Sequence, residues 1–190
     1  MIDAAGTWQG GRMVTQYYTA SSVDGFIATT DHSLDWLLSR DIDQAGPMSY
    51  PSFREHVGAM AMGATTYQWI LDHDEGWDYT LPAWVFTHRE FSAPDGDVRF
   101  TQAPVAEVHA EMVPAAGGLN VWVVGGGDLV GQFCDAGLLD EVWVQYAPVT
   151  LGDGAPLLTR RVELRLEELA QNREFACGRW SVVRRAAGPN

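Results

Sequence analysis

Lysine is absent from this chain of 190 residues, and all 12 of its basic residues are arginine. Without lysine there is no Schiff-base chemistry on a side-chain amine and no lysine-containing phosphate loop. Acidic residues number 25, which gives a formal net charge of -13. Such a surface repels a phosphate backbone, so we expect no nucleic-acid partner.

Cysteine is scarce as well. The two cysteines, Cys134 and Cys177, lie in apolar sequence and fit no metal-binding or redox spacing. We therefore expect buried free thiols and a cytoplasmic protein. The five histidines show no zinc-binding pairing, and the acidic segment 72–80 does not match a calcium loop, so no metal site is expected.

Long apolar runs are also missing. No stretch approaches the roughly 18 residues of a membrane span, so no membrane association is expected. Residues 1–12 lack the charged and apolar regions of a signal peptide, and Met13 opens the first periodic segment. We predict that residues 1–12 form a flexible extension and that residues 13–190 form one domain.

The hydrophobic pattern that is present predicts an α/β fold. Strand patterns alternate with short helical patterns and then give way to three strands in succession, which indicates a mostly parallel eight-stranded sheet with an antiparallel C-terminal edge and flanking helices. The predicted strands are 13–20, 59–62, 83–87, 98–101, 120–124, 141–146, 162–169 and 179–184. The predicted helices are 50–57, 66–71, 105–113 and 128–136.

Three predicted strands end in glycine or small polar residues, where an open α/β sheet binds its ligands. Gly63, Ala64, Thr65 and Thr66 open a helix, whose free N–H groups and positive dipole end favour a phosphate. A helix cap without a ligand explains this segment equally well.

The second strand end runs from Val124 through Gly125, Gly126 and Gly127 to Asp128 and Leu129. Three successive glycines allow close approach of the backbone to a ligand, although a tight turn is the simpler alternative. The third strand end is Thr87, His88 and Arg89, where the guanidinium can hold a phosphate. Together the three segments suit a dinucleotide.

Four short motifs follow one another along the chain: Ser22–Ala28 (SVDGFIA), Met62–Tyr67 (MGATTY), Val123–Gly127 (VVGGG) and Gly137–Glu141 (GLLDE). In this order they resemble the dihydrofolate-reductase superfamily. They are most similar to the reductase domain of riboflavin biosynthesis and to its stand-alone bacterial relatives, a comparison that Pro148–Gly154 (PVTLGDG) strengthens. The resemblance runs from about Met13 to Arg184.

The resemblance implies that the protein binds NADPH, with NADH as an alternative, and transfers a hydride to a heterocyclic C=N or a carbonyl of a small molecule. It places Ala20 and Ile27 beside the nicotinamide and Thr87–Arg89 near the adenosine 2′-phosphate. It also implies that Gly63–Thr66 hold the pyrophosphate and the adenosine side of the cofactor, and that Gly125–Leu129 close over its phosphates. A homodimer is compatible with these relatives.

The chain departs from the family at two positions, and these departures narrow the expected cofactor preference and substrate. Ala64 stands where the family has an arginine, so Arg89 must compensate if NADPH is preferred. Ser49 stands where dihydrofolate reductase has a carboxylate, and a hydroxyl cannot pair with the pterin edge. We therefore expect a substrate other than dihydrofolate. No deaminase motif accompanies the reductase pattern, so we do not expect a bifunctional riboflavin enzyme.

The substrate pocket is predicted from Tyr18, Ser49, Phe53 and Tyr146. Tyr18 or Tyr146 is the candidate proton donor, with Ser49 as a further catalytic candidate. Simple packing of half-buried tyrosines is the alternative. Two other functions stay open at this point: a non-catalytic nucleotide-binding module that dimerises through apolar faces, and a flavin-binding oxidoreductase.

Overall fold

The computed structural model describes residues 12–73, 77, 79–92 and 95–183. The prediction of a flexible extension falls outside these residues, except for Arg12. The strands are β1 (Thr15–Ser22), β2 (Phe26–Ala28), β3 (Val57–Gly63), β4 (Ala83–Phe86), β5 (Val98–Thr101), β6 (Asn120–Gly125), β7 (Glu141–Ala147), β8 (Ala155–Pro156), β9 (Leu164–Asn172) and β10 (Phe175–Val182). The helices are α1 (Asp35–Leu38), α2 (Tyr50–Arg54), α3 (Ala64–His73), α4 (Val105–Ala115) and α5 (Gly127–Asp135).

Eight of the strands form one sheet in the order β5-β4-β3-β6-β1-β7-β10-β9. All neighbours from β5 to β7 are parallel, whereas β10 runs antiparallel to both β7 and β9. The predicted mostly parallel sheet with an antiparallel C-terminal edge is therefore confirmed. The two remaining strands, β2 and β8, form a separate antiparallel pair.

Helices cover both faces of the sheet because successive strand residues point to opposite sides. On β1, Tyr17 is fully buried in a cluster with residues of α4 and α5, such as Met112 and Phe133. The next residue, Tyr18, is buried on the other side, in a cluster with residues of α2 and α3 such as Phe53. The result is a three-layer arrangement with β1 near its centre.

The structure corrects several predicted boundaries. Helix α3 begins at Ala64, two residues earlier than predicted, so both threonines lie in its first turn. Strand β10 begins at Phe175, four residues earlier than predicted, and the ring of Trp180 occupies the space that a side chain on Gly178 would take. Helix α1 and strands β2 and β8 were not predicted, since each is too short to show a period.

The cysteines agree with expectation in part. Both are free; Cys177 is buried, whereas Cys134 is half-buried. Burial raises the pKa of the Cys134 thiol to about 11. Within the described parts of the chain, no helix is long and apolar enough to cross a bilayer, and no three metal-ligating side chains converge.

Candidate active site

The three predicted phosphate-binding segments lie side by side. They follow β4, β3 and β6, which are neighbours in the sheet and run parallel, so their carboxyl ends share one edge. Gly63 is in register with Phe86 of β4. A methyl group on Gly63 would lie 3.9 Å from the carbonyl oxygen of Gly125, at the end of β6. The sheet therefore brings together the residues that the sequence singled out separately.

The three successive glycines differ in their backbone conformation and in their surroundings. Gly125 has φ +143°, a value that side chains rarely tolerate, and its peptide bond to Gly126 is cis. A methyl group on Gly127 would lie 2.4 Å from the carbonyl oxygen of Pro156 in β8. Gly126 has φ -75° and nothing within 4 Å of such a methyl group. Packing therefore explains Gly127, whereas Gly126 faces open space that a ligand can fill.

Helix α3 starts directly at this edge. Thr65 is exposed in its first turn, and Thr66 is half-buried with its hydroxyl oxygen near Gly125. The first-turn N–H groups of a ten-residue helix form a site with partial positive charge. Ala64 adds no charge here, as the sequence indicates.

Arg89 is held by its backbone while its guanidinium stays exposed. The Arg89 N–H donates to Thr87 Oγ1 at 2.8 Å, which fixes the turn after β4. Within the described residues the Arg89 side chain makes no ion pair or hydrogen bond, unlike Arg99, which pairs with Asp97. Arg89 is therefore a cation available to an anionic ligand. His88 beside it is exposed as well.

The segment after β6 contributes mainly backbone. Leu129 is buried in the core, and Val124 is half-buried on β6. Asp128 forms an ion pair with Arg160 at 3.1 Å, so its charge is partly offset. What this segment can offer a phosphate is the amino end of α5, which begins at Gly127.

A cleft of about 440 Å³ opens beside these segments. One wall is the exposed side of α3, and the other is the turn formed by residues 31–35. Arg89 and Thr65 line it as well. The side chains that line the cleft are Asp31, His32, Ser33, Asp35, Thr65, Gln68, Trp69, Asp72, His73 and Arg89.

Ala20 and Ile27, the candidate nicotinamide contacts, are half-buried on β1 and β2.

The turn between these strands is anchored by Asp24, whose carboxylate accepts the Ser22 hydroxyl at 2.6 Å. It also accepts the N–H groups of Leu151 at 3.0 Å and Gly152 at 2.7 Å. These hydrogen bonds, led by that of Ser22, lower the pKa of Asp24. The sequence pattern did not predict this hold of Asp24 on the connection after β7.

Three of the four substrate-pocket candidates cluster together. Tyr18 stacks on Phe53 with ring centroids 4.3 Å apart, and its hydroxyl donates to the carbonyl oxygen of Met48 at 3.1 Å, next to Ser49. The amide of Gln145 donates to the same hydroxyl at 2.5 Å. Burial raises the pKa of Tyr18 far above its usual range. All three candidates are at most 6% exposed. They pack against one another beside α2, and Ser49 is the residue that precedes this helix.

Tyr146 lies elsewhere. It is half-buried on β7, packs against the core cluster on the opposite face of the sheet from Tyr18, and contacts Trp180 edge-on. Burial raises its pKa, so the phenol stays protonated at neutral pH. A single substrate pocket therefore contains Tyr18 or Tyr146 but not both. The alternation of side chains along each strand does not reveal this separation, because it depends on how the two strands pair.

Comparison with known proteins agrees with this arrangement. The model of the RibD C-terminal domain matches residues 78–178, which is more than half of the chain. An uncharacterized protein of Bacillus subtilis, YwjB, is 32% identical over 161 residues, covering 83% of this chain and 91% of that protein. This chain belongs to the RibD C-terminal domain family. The resemblance deduced from the motifs is thereby confirmed.

Solved structures give the same fold. A protein of Shewanella sp. PV-4, provisionally assigned to riboflavin biosynthesis, matches with a TM-score of 0.77 and 24% identity over 90% of this chain and all of that one. The 5-amino-6-(5-phosphoribosylamino)uracil reductase of Thermotoga maritima, which also carries a deaminase, matches with a TM-score of 0.60 and 15% identity over 90% of this chain and 57% of that one. At these identities the likeness establishes the fold alone.

Proposed function

We propose that this chain is an NADPH-dependent reductase that transfers a hydride to a small heterocyclic substrate related to pteridines, pyrimidines or flavins. The observation that carries the proposal is the shared edge of β4, β3 and β6. There the guanidinium of Arg89, which has no ion pair with any described residue, adjoins the first turn of α3 and the open space at Gly126. A bound dinucleotide needs these features together: a cation, free N–H groups and room for close approach.

The cofactor, when bound, supplies the hydride; the residues of the chain bind and orient it. Gly63–Thr66 and Gly125–Leu129 would hold the pyrophosphate, and Thr87–Arg89 the adenosine end. Because Ala64 contributes no charge, Arg89 is the residue on which preference for the 2′-phosphate of NADPH over NADH depends. Ala20 and Ile27 would contact the nicotinamide.

The substrate would bind beside the cluster of Tyr18, Ser49 and Phe53. This cluster has no carboxylate, and Ser49 is 1% exposed at the start of α2. A pterin ring needs a carboxylate to pair with its amidine-like edge, so dihydrofolate is a poor match. For the proton that follows hydride transfer, Tyr18 and Tyr146 are the candidates in the chain.

We also propose that the chain forms a homodimer through one face of the C-terminal edge. Leu164, Leu166 and Leu169 of β9 are 37%, 50% and 67% exposed. They are in register with Val182, Trp180 and Gly178 of β10, and a bulge between Arg179 and Trp180 keeps all three leucines on one side. Exposed apolar patches of this kind mark interfaces.

The dimer is tested by sedimentation equilibrium. A double variant, Leu166→Glu and Leu169→Glu, is expected to be monomeric. Leu38→Glu, at a leucine that is 63% exposed on α1, serves as the control and should leave the oligomeric state unchanged. A monomeric unmodified protein at micromolar concentration would rule out the homodimer.

The reductase proposal is tested first by titrating the protein with NADPH and with NADH while following tryptophan fluorescence, since Trp69 lies in the same cleft as Arg89. We expect saturable binding, with NADPH weakened about tenfold in Arg89→Ala because one charge-assisted hydrogen bond is lost. Arg161→Ala is the control, since Arg161 is exposed and pairs with nearby Glu163. Absence of binding up to millimolar nucleotide would overturn the proposal.

The same preparation separates the two alternatives. A yellow protein with a flavin spectrum would indicate the flavin-binding oxidoreductase. A colourless protein that binds NADPH but oxidises it with none of a panel of pteridines, pyrimidines and flavins would indicate the non-catalytic nucleotide-binding module.

A further inference from the structure

We propose that Gln145 is a specificity-determining residue, whose side-chain carbonyl oxygen accepts a hydrogen bond from a ring N–H of the substrate. The hydroxyl of Ser49 donates to the C=O that adjoins this N–H. The ligand is therefore an uncharged heterocycle with a cyclic-amide edge, of the kind found in pyrimidinedione, pteridinedione and flavin rings. This inference rests on the proposed function, because it names the chemistry by which the same site recognises its substrate.

Both hydrogens of the Gln145 amide are committed within the protein. Nε2 donates to the Tyr18 hydroxyl at 2.5 Å and to the carbonyl oxygen of Met48 at 2.7 Å. A backbone carbonyl oxygen only accepts, so the contact with Met48 decides which end of the amide is the nitrogen. The hydrogen-bonding atom of Gln145 that remains is Oε1, an acceptor, and no described residue donates to it.

The amide is held in one orientation. The Tyr18 hydroxyl donates to the same Met48 carbonyl oxygen at 3.1 Å, so the phenol, the amide and the carbonyl group form a closed set of hydrogen bonds. The ring of Tyr18 is itself stacked on Phe53. Gln145 Oε1 is therefore a preorganised acceptor, and a ligand that uses it does not have to order the side chain first.

The hydroxyl of Ser49 is unpartnered as well. Ser49 precedes α2 at the position where a serine usually caps a helix, yet its side chain makes no capping hydrogen bond. It makes no hydrogen bond to any other residue that the structure describes, although Ser49 is only 1% exposed. A buried hydroxyl without a partner is uncommon in proteins, and a carbonyl group of a ligand would satisfy it.

A ligand can reach both oxygens. Within the described parts of the chain, the polar side-chain atoms that are fully enclosed and also lack a partner belong to four aromatic residues, Trp36, Tyr67, Trp69 and Trp77. The oxygens of Gln145 and Ser49 lack a partner but are not among these enclosed atoms. They therefore keep contact with solvent, which a ligand can displace.

Gln145 lies between the two parts of the proposed site. It is in register with Ala20 in the parallel ladder of β1 and β7, and Ala20 is the half-buried residue proposed to contact the nicotinamide. On its other side the Gln145 amide contacts Met48, the residue directly before Ser49. A ring bound to Gln145 and Ser49 therefore lies next to the nicotinamide position, as direct hydride transfer requires.

The hydrogen-bonding groups select the edge of the ligand. Because Gln145 Oε1 only accepts, the atom that faces it must carry a hydrogen, whereas the Ser49 hydroxyl has a hydrogen to donate. A cyclic amide presents an N–H beside a C=O and satisfies both. Neither protein group is charged, so a cationic amidine-like edge finds no carboxylate here to pair with.

The test uses two pteridinediones that differ by one methyl group. In 1-methyllumazine the only N–H is at ring nitrogen N3, between two carbonyl groups, and 1,3-dimethyllumazine has no N–H. Dissociation constants are measured by calorimetry at neutral pH, with and without saturating NADP⁺. We expect 1-methyllumazine to bind at least about tenfold more tightly, because the second methyl group leaves Gln145 Oε1 unpaired.

Gln145→Leu should bring the ratio of the two dissociation constants close to one. The ratio is taken within a single variant, so a general loss of affinity caused by the lost contacts with Tyr18 and Met48 cancels.

Ser49→Ala separates binding from folding. Since the hydroxyl has no partner in the protein, this variant should keep the urea midpoint of the unmodified protein while it binds 1-methyllumazine about fivefold more weakly. Ser52→Ala removes a hydroxyl from the exposed side of the same helix and should change neither quantity.

The outcomes are separable from those of the cofactor experiment. A ratio near one in the unmodified protein, a ratio that Gln145→Leu does not change, or no binding of either compound at millimolar concentration would each overturn the inference. Unchanged affinity in Ser49→Ala would overturn the part assigned to Ser49. If NADPH fails to bind while the ratio and its dependence on Gln145 persist, the proposed cofactor is wrong and recognition by Gln145 stands.

Discussion

Gly127 packs against the carbonyl oxygen of Pro156, which would lie only 2.4 Å from a methyl group at residue 127. Pro156 belongs to β8, which pairs with β2, so this contact joins the start of α5 to the β2–β8 pair. Its neighbour Gly126 has no such contact. Two adjacent glycines therefore serve different purposes, one structural and one open to a ligand.

This difference gives the first prediction. Gly127→Ala should lower the free energy of unfolding by about 1–3 kcal/mol, because a backbone carbonyl must move to admit the methyl group. Gly126→Ala should leave stability within about 0.5 kcal/mol, since its φ of -75° suits alanine and the space is empty. The measurements are urea denaturation and the dissociation constant of NADPH, which Gly126→Ala should weaken. Equal stability losses in both variants would contradict the assignment.

The sequence made these positions predictable only in part. Parallel strands end at one edge, so small residues after three such strands were expected to meet, and they do. The contact between Gly127 and Pro156 was not foreseeable, because β8 is two residues long and carries no period. Three successive glycines therefore looked like one ligand-binding feature.

The pairing register between strands that are distant in sequence was the other feature that could not be predicted. Tyr18 and Tyr146 are both strand tyrosines, and each strand pattern is compatible with either face. Their placement on opposite faces follows from the pairing of Ser21 with Tyr146 in the parallel ladder of β1 and β7, which joins residues far apart in sequence. The cleft also depends on where the 31–35 turn folds back against α3, and no local pattern indicates this.

The second prediction concerns Asp24, which holds the connection after β7 by accepting the N–H groups of Leu151 and Gly152. In Asp24→Ala these two amides should exchange with deuterium several-fold faster, because they lose their acceptor. Asp24→Asn keeps one side-chain oxygen and should show an intermediate rate. The measurement is hydrogen exchange followed by mass spectrometry on peptides that span residues 148–154.

The pH dependence of this anchoring follows from the pKa of Asp24, and a neighbouring carboxylate provides the control. Hydrogen bonds lower the pKa of Asp24 below its ordinary 3.8, so its anchoring is present above that pH and is lost as the pH falls through the lowered pKa. Asp153→Asn, in the same exposed segment, should leave the exchange of Leu151 unchanged. Unchanged exchange in Asp24→Ala would show that the connection is held by other contacts.

The third prediction separates packing from catalysis at the two tyrosines. Tyr18→Phe removes a hydroxyl that donates to Met48 and accepts from Gln145, so stability should fall by about 1 kcal/mol. If Tyr18 is also the proton donor, kcat should fall by about a hundredfold or more at unchanged cofactor affinity. Tyr146→Phe is the matched variant on the other face. Once a substrate is found, the variant with the larger loss in kcat identifies the donor.

The fourth prediction is a pH dependence set by His109. His109 Nε2 and Thr15 Oγ1 are joined by a hydrogen bond of 2.8 Å, next to a second cavity of about 280 Å³ at the amino ends of the strands. Burial lowers the pKa of His109 below 6.5, and the charge of Asp140 opposes this shift. The unfolded chain therefore takes up a proton at higher pH than the folded one does.

It follows that the contribution of His109 to stability is complete above about pH 6.5 and is lost as the pH falls below it. The free energy of unfolding should decrease from about pH 7.5 to about pH 5.5. His109→Gln keeps a nitrogen near Thr15 without titrating, so its stability should depend less on pH over this interval. The difference between the two curves, measured by urea denaturation in parallel, isolates His109 from the carboxylates that titrate below. Parallel curves for the two proteins would mean that His109 is protonated equally in the folded and unfolded states, and the burial of its ring beside α5 would then have no energetic consequence for its charge.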